Sequence, residues 1–153
     1  MFKLINVENK VELGCSVVGY QFPDNPSDDW CMLEISVMQN GQEFHKTDPA
    51  LEAQELVCLR EWFECLSSKI LPRYSRLSFT EPCIGFEFLA HHDGLVRIAI
   101  HLAHELKPPF LLEQFRASSD EWRIVFELDV EDFRAILSGI NSAISTFPVR
   151  GVE

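Results

Sequence analysis

The chain has 153 residues, 46% of them hydrophobic, with 13 Lys and Arg against 24 Asp and Glu, a formal charge of −11 at pH 7. That length predicts one domain over residues 1–153, and a chain of about 150 residues buries ~68–70% of its unfolded surface. The apolar content argues against disorder, and the acid excess argues against a nucleic-acid or anionic-membrane surface, which needs clustered Lys and Arg.

In chain order, the first eight residues are broken by Lys3, Asn6 and Glu8, so no apolar signal-peptide block is expected. The most apolar stretches, residues 83–90 and 95–103, carry Glu87, Arg97 and His101 and fall short of the roughly 20 apolar residues of a membrane span. A cytoplasmic location follows as the expectation. Residues 3–8 and 11–20 are rich in Val, Leu and Ile and read as strands. Residues 21–29 hold Pro23, Asp24, Asn25, Pro26, Ser27 and Asp28 and read as a loop. Residues 30–38 alternate, with Cys31, Leu33, Ile35 and Val37 on one face. Asn40-Gly41 signals a hairpin, and the return strand is predicted over residues 42–46.

Thr47-Asp48-Pro49 reads as a helix start, with Asp48 as cap and Pro49 at the first helical position. Leu51, Leu56, Leu59, Trp62, Phe63 and Leu66 carry the helical stripe to about residue 69, and Pro72 stops it. Strands are predicted at residues 75–79, 83–90 and 95–103, the last two joined by Asp93-Gly94. Pro108 and Pro109 interrupt the sheet, residues 110–116 are a candidate strand, and residues 121–128 alternate again. Asp129 caps a final helix with the stripe Phe133, Ile136, Leu137, Ile140, Ile144 and Phe147, ended by Pro148. Short hairpin turns imply antiparallel pairing. The predicted class is α+β: one large, mainly antiparallel sheet with two amphipathic helices packed on it.

The residues that could carry chemistry do not form a catalytic set. His91, His92 and Asp93 fall on a hairpin tip. His101 and His104 on a strand point to opposite sides, so this HxxHE string is not a helical zinc site. Glu81, before Pro82, reads as a structural carboxylate accepting backbone amides, with a site role as the alternative. Cys15, Cys31, Cys58, Cys65 and Cys83 are odd in number and scattered, which predicts reduced thiols at core or boundary positions. No catalytic, cofactor-binding or metal-binding residue is assigned, and no cofactor is expected.

The sharpest local feature is the acidic loop at residues 24–29, edged by Tyr20, Phe22 and Trp30. An acidic loop flanked by aromatics suits a partner hot spot. The expected partner-binding residues are Asp24, Asp28, Asp29 and Trp30, with Glu43 on the adjacent hairpin.

Several motifs recur in order: Gly19-Tyr20-Gln21-Phe22-Pro23-Asp24-Asn25 with Asp29-Trp30, Lys46-Thr47-Asp48-Pro49-Ala50-Leu51, and Glu55-Leu56 through Leu59 to Trp62-Phe63. Phe79-Thr80-Glu81-Pro82 with Gly85-Phe86-Glu87-Phe88 follows, then Phe126-Glu127-Leu128 and Phe147-Pro148-Val149-Arg150. From about residue 17 to 150 this set resembles the WapI family of bacterial immunity proteins. Two departures stand out: Phe110 where the family has Trp after the proline pair, and a variable segment before Val17.

The resemblance implies an antitoxin-like protein that binds the C-terminal domain of a large polymorphic toxin, a nuclease in the founding group, and blocks it by occlusion. No catalytic residues carry over, and the matched aromatic, Pro and Gly positions read as fold determinants. The expected partner is a basic toxin domain, with no direct nucleic-acid or membrane contact. The sequence leaves the oligomeric state open. Two alternatives remain: a non-catalytic structural or protein-interaction domain, and a small metal-dependent hydrolase using His91, His92, His101 or Glu81.

Overall fold

The computed structural model describes residues 1–8, 10–110 and 122–151. Its strands are β1 (Phe2–Asn6), β2 (Val11–Tyr20), β3 (Trp30–Gln39), β4 (Gln42–Glu52), β5 (Arg76–Ser78), β6 (Ile84–His92), β7 (Leu95–Leu102) and β8 (Trp122–Leu128). Helix α1 (Ala53–Ser67) follows β4, and α2 (Val130–Thr146) follows β8. A 3₁₀ turn, His104–Leu106, leads out of β7. The α+β class holds, and every described strand pairing is antiparallel. The candidate strand at residues 110–116 lies outside the described residues, except for Phe110.

The strands form two sheets rather than one, in the orders β1-β2-β3-β4 and β5-β6-β7-β8. Their edges meet where Asn6 Nδ2 donates to the Val125 carbonyl at 2.5 Å. A side chain, not a strand ladder, bridges the sheets there. Alternation within a strand sets which side chains face inward, but it carries no information about which edge strands pair.

Both hairpin turns form as their residues dictate. Asn40-Gly41 takes φ of 50° and 78°, and Asp93-Gly94 takes 49° and 80°. Two successive positive φ values define the turn whose twist matches that of paired strands. The inward residues of β3 and β7, among them Leu33, Ile35, Val37, Ile98, Ile100 and Leu102, are all buried. They join the buried stripes of both helices in one core. At its centre Phe63 of α1 meets Phe2 of β1, Phe86 of β6 and Phe133 of α2 edge-on, with ring centroids 6.0, 5.7 and 6.4 Å apart. Trp62, beside it in sequence, adds a further edge-on contact at 5.1 Å.

The largest departure from the sequence reading is at residues 47–52. The predicted helix start at Asp48-Pro49 is strand: β4 runs through it, with Asp48 opposite Leu33 and Pro49 opposite Met32. Proline is tolerated because β4 is an edge strand, where a missing N–H can face outward. The register shifts between Cys31 and Met32, so Ala50 is the extra residue of a bulge, and it is buried with Leu51. Pairing and burial outweigh the local start signal. The helix begins at Ala53 instead, where the Glu55 carboxylate accepts from the Glu52 amide at 2.9 Å. By contrast, the Asp129 cap on α2 forms as expected, accepting from the Asp132 amide at 2.9 Å.

Asp48 therefore has no capping role to lose. Burial raises its pKa, and repulsion from Glu105 and Glu81 adds to this against the opposing pull of Lys46. A carboxyl with a raised folded-state pKa destabilises the fold once it is ionised, so stability from this group falls as pH rises through that value. Asp48→Asn is expected to be more stable than wild type at pH 7. The difference should vanish as pH falls below the ordinary carboxylate range, as read from thermal melts at a series of pH values.

Candidate functional site

The acidic loop, residues 21–29, closes the end of the β2–β3 hairpin. The Gln21 amide donates to the Trp30 carbonyl at 2.7 Å and ties its two ends. Inside it, Asn25 Oδ1 accepts from the Ser27 amide at 3.2 Å, and Asp28 Oδ1 accepts from the Trp30 amide at 3.1 Å. Asn and Asp suit such turns because a short side-chain oxygen reaches the amide two residues on. The Asp29 carbonyl accepts from the Ala53 amide at 3.0 Å, so the loop also anchors the start of α1.

The loop is held by a residue 121 positions away. The Asp29 carboxylate accepts from the Arg150 backbone amide at 2.8 and 3.0 Å and from Arg150 Nε at 3.3 Å. The Arg150 guanidinium also donates to the carbonyls of Pro23 at 3.0 Å and Phe22 at 3.2 Å, and to that of Asp28. Its other face covers the Tyr20 ring at 3.6 Å from the centroid. Tyr20 in turn donates its hydroxyl to the Pro148 carbonyl at 2.5 Å and meets the Phe147 ring edge-on at 5.4 Å. Burial raises the Tyr20 phenol, with Arg150 opposing. The Asp29 and Arg150 side chains are only 19% and 17% exposed. Two motifs from opposite ends of the chain, residues 19–30 and 147–150, thus make one unit.

The five expected partner-binding residues do not lie together. Asp24 is exposed, Asp28 and Trp30 are half-buried, and Asp29 is engaged by Arg150. These four share the loop and its foot. Glu43 is exposed at the far end of the β3–β4 hairpin, opposite Met38, whereas Trp30 pairs with Glu52. Eight residues of strand separate the two ends, about 27 Å at ~3.4 Å per residue. Trp30 and Met38 occupy positions of the same parity along β3, away from buried Cys31 and Val37, so both ends open on the outer face of the first sheet.

Arg150 is the residue of this unit that reading by elements missed. A signal was present: it is the only Lys or Arg after Arg134. Its partners, however, lie at the opposite end of the sequence, beyond the reach of local pattern.

The other clusters fall apart or turn structural. His91 and His92 are exposed at the β6–β7 turn, whereas His101 is buried in β7 with its Nε2 2.9 Å from Glu87 Oε2. His104 is exposed in the 3₁₀ turn. The carboxylate that accepts amides near residue 81 is Glu55, not Glu81: it takes the Thr80 amide at 2.7 Å and the Thr80 hydroxyl at 2.8 Å. Among the described residues no group of three or more His, Cys, Asp or Glu is placed to hold a metal ion. All five cysteines are free thiols; Cys15, Cys31 and Cys83 are buried, Cys65 half-buried and Cys58 exposed. Burial pushes the Cys15 thiol up to about 12, and burial with the Asp29 charge pushes Cys31 to about 11. Neither is a nucleophile at neutral pH. No described helix is long and apolar enough to cross a membrane.

Comparison with protein families matches residues 3–148 to the model of the immunity protein WapI-like family. The match begins at residue 3, in β1, and so extends further toward the N-terminus than the resemblance from about residue 17. Neither the curated proteins nor the solved structures contain a match.

Proposed function

The chain belongs to the WapI-like immunity protein family, and from that premise we propose that it binds the C-terminal domain of a polymorphic toxin, a nuclease, and neutralises it by occlusion. The family match over nearly the whole chain carries this reading. The net charge of −11 supports it, since an acidic inhibitor is steered toward a basic nuclease. Binding of this kind needs no catalytic group and no cofactor from the inhibitor.

Within this reading the acidic loop is the first point of encounter. Asp24 and Asp28 present charge there, Glu43 adds charge at the far end of the same sheet face, and Trp30 lies at the foot of the loop as an aromatic contact. Asp29 contributes by holding the loop in shape through Arg150. The direct test is co-expression with the toxin domain encoded beside this chain. Protection of the cells and a stoichiometric complex from the purified proteins are expected; toxicity unrelieved by this chain, with no complex formed, would overturn the reading.

The charge argument has its own test. Asp24→Asn, Asp28→Asn and Glu43→Gln together should slow association several-fold at low salt and leave dissociation nearly unchanged, because exposed charges act on encounter. Asn at 28 keeps the oxygen that accepts from Trp30. Stopped-flow association rates across ionic strength would show the effect, and a rate independent of both salt and these substitutions would remove the steering role.

A further inference from the structure

A second surface stands out at the opposite end of α1. The helix ends with the Lys69 amide donating to the Leu66 carbonyl at 3.1 Å and the Ile70 amide to the Cys65 carbonyl at 2.9 Å. Lys69 takes the left-handed conformation, φ 57°, that this ending requires. In such an ending the apolar residue after it ordinarily folds back on the last helical turn. Ile70 does not: it is 59% exposed, Leu71 is 69% exposed and Tyr74 is 58% exposed. Three large apolar side chains within five residues face outward on one loop.

The loop is not loose. The Tyr74 carbonyl accepts from Trp62 Nε1 at 3.0 Å, and the Ser75 carbonyl accepts from the Phe88 amide at 2.7 Å. The backbone is therefore pinned to α1 at Lys69, Ile70 and Tyr74 and to β6 at Ser75. A surface already fixed in shape loses little freedom on binding. Its charge is also opposite to that of the molecule. Lys69 and Arg73 lie in it, and no Asp or Glu occurs between Glu64 and Glu81. The Arg73 guanidinium stands 5.3 Å from the Tyr74 ring centroid. Tyr and Arg are the residue types that most often dominate binding energy at protein interfaces.

We infer that Ile70, Leu71 and Tyr74 are the hydrophobic anchor of the toxin contact, seated in an apolar pocket whose rim is acidic opposite Lys69 and Arg73. This rests on the toxin-binding reading above. The acidic loop adjoins the start of α1 and the anchor loop leaves its end. The 15 residues of α1 span about 22 Å, whereas an interface of ~800 Å² per partner is roughly 30 Å across. One interface of ordinary size reaches both loops, and their opposite signs fix its register. An anionic bilayer fits less well, because the net charge of −11 repels it.

The test measures binding of the purified toxin domain encoded beside this chain. Leu71→Asp with Tyr74→Ala should weaken affinity at least 30-fold, mainly through faster dissociation, with the melting temperature of wild type. Arg73→Glu, which leaves the apolar groups in place, should weaken it several-fold as an independent check. If wild type binds and these variants bind equally well, the anchor is elsewhere and the toxin reading stands. If wild type does not bind, that reading falls and this inference with it. A dimer of wild type in light scattering that Leu71→Asp abolishes would assign the loop to self-contact and overturn the proposal. Sedimentation of wild type but not the variant with phosphatidylglycerol vesicles would likewise overturn it.

Discussion

Phe63→Ala is expected to cost about 3–5 kcal/mol, the range for deleting a buried aromatic ring. Phe63 is fully buried, and its ring contacts those of Phe2, Trp62, Phe86 and Phe133. It therefore joins an edge strand of the first sheet, a central strand of the second and both helices. Small side chains cannot refill that space, because the surrounding groups come from four separate elements and cannot collapse together. Chemical denaturation should show a lower midpoint, and thermal unfolding should begin some 6–20 °C earlier, at about 2–4 °C per kcal/mol for a chain of this size. Phe63→Leu should recover part of the loss. A midpoint within 1 kcal/mol of wild type for the alanine variant would show that this cluster is not the keystone of the core.

Arg150→Ala is expected to lose about 3 kcal/mol and to unsettle the acidic loop. Removing one partner of a largely buried pair leaves the other charge without compensation, which costs roughly 3–5 kcal/mol. The lower end applies because both side chains keep some solvent contact. The guanidinium also satisfies the carbonyls of Phe22, Pro23 and Asp28. Arg150→Lys keeps the charge but not the planar fork, so it should restore only part of the loss. Hydrogen exchange at the amides of residues 21–30 should rise in both variants. In a double-mutant cycle with Asp29→Asn, the two losses should be strongly non-additive. Additive losses would separate the two residues energetically and dissolve the clamp. The Asp29 backbone also holds the start of α1, so disturbance should reach Ala53 as well.

The same residue shows what each level of description provides. Phe147-Pro148-Val149-Arg150 and Gly19-Tyr20-Gln21-Phe22 are recognisable in the sequence as separate motifs, yet their meaning as one structural unit appears only when the Tyr20 hydroxyl meets the Pro148 carbonyl. The acidic loop was legible because Pro, Asp and Asn cluster between two apolar runs. Its shape was not, because the cation that sets it arrives from the other end of the chain. The loop at residues 70–74 was equally hidden: Ile70, Leu71 and Tyr74 look like core residues in a list, and only their exposure marks them as a surface.

The inward faces of β3, β7 and β8, both two-residue hairpins, the capped helix α2, the antiparallel α+β class and the family are legible in the sequence. Each of these depends on the two-residue or 3.6-residue repeat of side-chain direction, on turn residues that permit positive φ, or on motifs in fixed order. Only the folded chain reveals that β4 continues through Pro49, that the eight described strands divide into two sheets, and that Arg150 closes over Asp29. Those outcomes rest on which edges and charges meet after the chain has folded back on itself. A proline is a helix start beside free amides and an ordinary edge residue beside a strand. An acidic cluster is a solvated surface until a distant guanidinium gives it a fixed form.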